Sequence, residues 1–292
     1  MDKDEILAVV GKNNHPIAVG GTYSDNVDVE CAINNIIIFD GQNISEKIIK
    51  NESKIFKIQH ENIDENDFEK FLYFENLEII QDEQWDLKIF LSKIKEKKNS
   101  IFVTSAKNSI VDAQLALSKA KSILNENDPF LSCWIKCASI SLIDSILYQN
   151  KILPNHTATL ESIRNLKDQN SNQFSDKIIS ELGVERSTPS LLSRMLKSTS
   201  GFSDIVEKNQ NSSIIEKKAN YLVENSLLSD CYIFLCYQNK KIFYQIMDSL
   251  NKNFDKIHVL KVAFDLSNDV TQNSKSIESL YDISKNLLAS YH

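Results

Sequence analysis

At 292 residues, with 42% hydrophobic and 9% aromatic side chains, the chain has apolar surface for two ordinary domains or one large one, which excludes a disordered polypeptide. Six glycines and four prolines disfavour a loop-rich β-sandwich or a Rossmann-like fold and favour long helices with short connections. The formal charge is −7, and residues 1–98 carry 12 Lys and Arg against 20 Asp and Glu, a balance of −8, so their own field opposes a broad nucleic-acid-coating surface.

In chain order, "KDEILAVVGK" reads as a short helix with Gly11 as its cap. "HPIAVGG" follows as a short apolar strand ending in two glycines. "VDVECAI" alternates in period two, which predicts a strand with Val27, Val29 and Cys31 on one face and Asp28, Glu30 and Ala32 on the other. "NIIIFDG" and "SKIFKIQHENI" read as two further strands, and "FLYFENLEIIQD" as a helix end followed by a strand.

Beyond residue 82 the period becomes helical. Ile110, Ala113, Leu117, Ala120 and Leu124 form one stripe, and "PFLSCWIKCASISLIDSILYQNK" follows it as the second arm of an antiparallel helical hairpin. Helices are expected near 157–168, 173–182, 188–198, 213–228 and 240–251, with a last one in "SKSIESLYDISKNLLASYH". Residues 230–238 and "KIHVLKVAFDL" are ambiguous between strand and helix. The polar stretches 95–100, 168–173 and 207–213 read as loops. The expected architecture is α+β: a small α/β domain at 1–98 and a larger, mostly helical domain at 99–292, with possible subdivision near 168–173 or 207–213.

The five cysteines are scattered, and Cys133 and Cys137 share one face of an apolar helix, as expected of buried structural thiols. Residues 1–10 carry Asp2, Asp4 and Glu5 and no apolar signal segment, so a cytoplasmic location without membrane spans is expected. The basic run 93–98 reads as a solvated helix end. No Walker loop, G-x-S-x-G, H-E-x-x-H or Cys-x-x-Cys pattern occurs. Helical RNase activity is disfavoured because Arg164, Arg186 and Arg194 have no His four to six residues on.

On a strand, Asp28 and Glu30 would project from one face with Cα atoms about 7 Å apart, close enough to share a divalent cation. Upstream glycines would let phosphates approach the backbone. Val19-Gly20-Gly21, the spacer "TYSDNV" and Asp28-Val29-Glu30 together resemble the signature of the DNA polymerase β-like nucleotidyltransferases, and the helices after residue 99 are similar to the HEPN-type or poly(A) polymerase-type partners of that superfamily. The resemblance implies Mg²⁺-dependent transfer of a nucleotidyl group from an NTP to an acceptor hydroxyl. Asp28 and Glu30 would be metal ligands and catalytic acids, and Gly20, Gly21 and Thr22 would lie at the triphosphate.

The chain departs from the signature in three places: the spacer is six residues, the second acid is Glu, and "KIFKIQH" contains no third carboxylate. Only Glu61 follows that strand directly, and Asp40 closes the earlier run. Two readings therefore stand side by side, with a third in which an unrelated α/β protein carries "GG…DVE" by coincidence. One is an active transferase with a nucleotide and an unknown acceptor as partners. The other is a catalytically silent relative serving as an interaction or nucleotide-binding module, with helices able to form a homodimer. His60 is read as a histidine satisfied by local hydrogen bonds, and His156, in "LPNHTATL", as a loop residue next to a helix cap.

Overall fold

The structure, a computed structural model, describes residues 3–291 apart from 12, 21–25, 52–53, 65–67, 75, 127, 208–210, 251–256 and 267–268. Gly21 and Thr22 lie outside the described residues. The chain is α+β and falls into two compact units, Met1–Phe102 and Val103–His292.

The first unit is built on a five-stranded sheet. Its strands are β1 (Ile17–Gly20), β2 (Ile33–Ile38), β3 (Lys47–Asn51), β4 (Lys54–His60) and β5 (Leu77–Gln81), in the spatial order β3-β4-β2-β1-β5. β2 and β4 run parallel, with Ile38 opposite His60, and the other neighbours are antiparallel. The pleat divides β2: Ile36 and Ile38 join Ile17, Val19, Phe56 and Ile58 in the core under α1 (Lys3–Val10), which contributes Ile6. A Lys54–Glu5 ion pair at 2.6 Å ties α1 to β4, and Gly11 ends the helix at φ +80°. Beyond β2, Phe39 packs edge-on against Phe74 and Phe90, with centroids 5.4 and 6.2 Å apart.

Two expectations fail in this unit. The stretch "VDVECAI" is not a strand: Asn26–Glu30 form a short helix, α2, closed by bonds from Cys31 N to Val27 O and from Ala32 N to Val29 O. Val27 and Cys31, four residues apart, are both buried by the helical path, while Val29 is left 74% exposed. Burial at the helical spacing overrode the period-two pattern. The second failure is the joint at 95–100, which is helical throughout, inside the 37-residue helix α4 (Asp86–Ser122), the next helix after α3 (Phe68–Tyr73). Its polar residues mark a solvated face of that helix, so the basic run 93–98 is not a helix end.

The second unit is helical. Its core element is α5 (Leu131–Gln149), which is buried almost all round and packs against α7 (Gln169–Leu182), α10 (Leu228–Leu250) and α12 (Val270–Ala289). Ala138, Ser139, Ser141 and Ser145 keep its girth small. Among the described residues α5 is the one helix long and apolar enough to cross a membrane, and 83% of the relevant window is buried inside the fold. The remaining helices are α6 (Thr159–Arg164), α8 (Pro189–Glu207), α9 (Ser212–Glu224) and α11 (Ile257–Ala263). The two ambiguous segments are helical, since 230–238 lies within α10 and 257–263 is α11. Asp168 caps α7 by accepting from Ser171 N at 2.7 Å, so the polar stretch 168–173 is a helix start.

Candidate functional site

Gly20 ends β1 at φ +107°, beside the carbonyl of Asn76; a Cβ there would stand 2.9 Å from that oxygen. Both the conformation and the close approach require glycine.

Asp28 and Glu30 follow on α2 and diverge. Two residues along a helix turn the chain by about 200°, so the side chains leave on different sides. Asp28 is fully buried and Glu30 is exposed. The Asn35 amide of β2 donates to Asp28 Oδ2 at 3.4 Å. The shared face expected of a strand pair is therefore absent, and an ion held by one carboxylate would not meet the other. The first strand after Gly20 is β2, whose polar residues are the amides Asn34 and Asn35. Amide oxygens are neutral, whereas Mg²⁺ in nucleotide sites is held mainly by carboxylates and phosphates.

Other acids gather near the carboxyl ends of the parallel pair β2 and β4, the place where open α/β sheets commonly hold ligands. Asp40 Oδ2 lies 2.8 Å from His60 Nδ1. Glu61 pairs with Lys70 at 3.1 Å, and Gly41 N donates to Glu61 O at 3.0 Å. Nearby, Glu46 pairs with Lys57 at 3.1 Å and accepts from Gln59 Nε2 at 2.6 Å, and Tyr73 donates its hydroxyl proton to Gln59. Each of these three carboxylates faces a basic side chain of the unit itself. Among the described residues no group of three or more His, Cys, Asp and Glu could hold a metal ion. His60 is thus satisfied locally by Asp40.

The helical unit contains a polar cluster that the sequence reading missed. Lys136 of α5 is 5% exposed, and its Nζ donates to Tyr232 Oη at 2.6 Å and to Leu182 O at 3.1 Å. Tyr232 Oη is also 3.0 Å from Asp265 Oδ2, which Arg186 meets at 2.8 Å. Burial drives the Lys136 ammonium below its ordinary pKa, while Cys236 and Asp265 pull the other way. The group borders a polar cavity of about 320 Å³. A single lysine inside the otherwise uncharged "FLSCWIKCASISLI" was the available signal. The five cysteines are buried and outside any disulfide, as expected of structural thiols. His156 stacks on Tyr237 at 3.8 Å; burial, helped by the charges of Lys218 and Lys240, pushes its pKa down to about 3.

No family model and no curated protein matches the chain. Among solved structures, a nucleotidyltransferase-like protein from Exiguobacterium sibiricum 255-15 is similar over 88% of each chain, with 10% identity and a TM-score of 0.37.

Proposed function

We propose that the chain is a catalytically silent relative of the nucleotidyltransferases, in which the N-terminal unit serves as a binding module and performs no transfer. The observation that carries this reading is the divergence of Asp28 and Glu30 on α2, one turned into the protein and one into solvent. Transfer by metal ions needs carboxylates converging on one ion that bridges the phosphates. The amides on β2 and the internally paired Asp40, Glu46 and Glu61 support the same reading.

Thermal protection by NTPs, measured with and without Mg²⁺, tests it. Glu30 is exposed, so Glu30→Ala leaves the fold intact and isolates any metal role. Protection that is independent of Mg²⁺ and unchanged in Glu30→Ala, or no protection at all, agrees with the proposal. Protection that requires Mg²⁺ and disappears in Glu30→Ala supports the transferase reading, with Asp28 and Glu30 as metal ligands and Gly20, Gly21 and Thr22 at the triphosphate, and overturns it.

A further inference from the structure

In the first unit a cavity of about 400 Å³ lies beside β5 and the first turns of α4, within the roughly 300–1,000 Å³ range of small-molecule sites. Its walls are apolar: Leu72, Phe74, Ile94 and Ile101 are buried, Leu91 is half-buried, and Ile79 of β5 stands at the open side. Lys88, Lys95 and Lys98 also line it, with Ser92 and Asn76.

The helical repeat explains this division. Ile94 and Ile101 are seven residues apart and share the buried stripe of α4. Lys88 and Lys95 are likewise seven apart, and Lys98 is three beyond Lys95, so the three fall along one neighbouring stripe. Lysine stems cover apolar surface while their ammonium groups stay in water, which gives a cationic mouth over an aliphatic floor. Among the described residues no carboxylate lines the cavity, although residues 1–98 carry a balance of −8 from 12 basic and 20 acidic side chains. The basic mouth is thus a local exception in an acidic unit, and the field favours an anion here over the surrounding surface.

We infer that this cavity binds a free medium- to long-chain carboxylate, its aliphatic chain against Leu72, Phe74, Ile94 and Ile101 and its head at Lys88, Lys95 and Lys98. The floor offers aliphatic and phenyl groups, which suit a hydrocarbon chain better than a nucleobase needing hydrogen-bond partners. The cavity shares Asn76 with the surroundings of Gly20 and takes no lining residue from α2, and the inference does not depend on whether the unit transfers nucleotides.

The test is titration calorimetry of the full chain with dodecanoate below its micelle-forming concentration, beside dodecyltrimethylammonium, acetate and phosphatidylglycerol vesicles. Expected are saturable binding of one dodecanoate per chain with a negative heat-capacity change, and no binding of acetate. The triple variant Lys88→Gln/Lys95→Gln/Lys98→Gln weakens dodecanoate roughly tenfold, the combined effect of three solvent-screened ion pairs. Ser92→Trp places bulk at an exposed lining position and abolishes binding without disturbing the core. Equal affinity for the cationic amphiphile, undiminished binding in Ser92→Trp, an unchanged affinity in the triple variant, or binding to vesicles alone would each overturn the inference.

Discussion

The Asn35 side-chain amide donates to the buried carboxylate of Asp28 at 3.4 Å, joining α2 to β2. This contact gives the acid a structural role, and its neighbour Glu30 has no comparable burial. Asp28→Ala leaves the buried Asn35 amide without that acceptor and is expected to cost about 1–3 kcal/mol. Glu30→Ala is expected to stay within about 0.5 kcal/mol of the parent. Urea unfolding of the two variants measures the difference; equal, negligible effects would remove the structural role of Asp28.

Gly20→Ala forces a side chain into the left-handed region and against Asn76 O, 2.9 Å from the new Cβ. Gly20 is also paired with Leu77 across β1 and β5, so the strain falls on the edge of the sheet. A loss of about 1–3 kcal/mol is expected, read as a lowered unfolding midpoint.

How much of this was legible in the sequence depends on the kind of signal. Ile17, Val19, Ile36 and Phe56 lie in β-branched or aromatic runs bounded by turn residues, and their strands stand where the pattern placed them. Val27, Val29 and Cys31 satisfied a strand period equally well, yet five residues are too few to separate periods of 2 and 3.6. Only burial of Val27 with Cys31 decided the matter. "EKIIKN" passed unnoticed because β3 is an edge strand whose side chains are exposed or half-buried. The lysines at the mouth of the cavity were visible as a basic run, but which of them face an apolar floor depends on α4 continuing through 95–100.

Acid sensitivity is expected from His156. Its folded pKa of about 3 lies below the ordinary 6.5, so the unfolded chain takes up a proton that the folded one refuses. The associated stability is present above pH 6.5 and is lost as pH falls from 6.5 towards 3. His156→Phe keeps an aromatic ring beside Tyr237 and is expected to flatten this part of the stability profile, measured by urea midpoints between pH 7 and 4.

Alkaline sensitivity is expected from the thiols. Burial raises Cys137 and Cys231 to about 12 and Cys236 to about 11, above the ordinary 9.0. The folded chain keeps protons that the unfolded chain releases, so this stability is present below pH 9 and is lost as pH rises from 9 towards 11 and 12. Cys137→Ala is expected to reduce the slope of the urea midpoint between pH 9 and 10.5 relative to the parent.

The most direct test of the central claim is transfer itself: the full chain incubated with each labelled NTP and Mg²⁺ in the presence of protein, RNA and small hydroxyl acceptors, beside the double variant Asp28→Ala/Glu30→Ala. The account predicts incorporation no greater than in the variant or in protein-free reactions. Label transferred by the parent and lost in a folded double variant would contradict it.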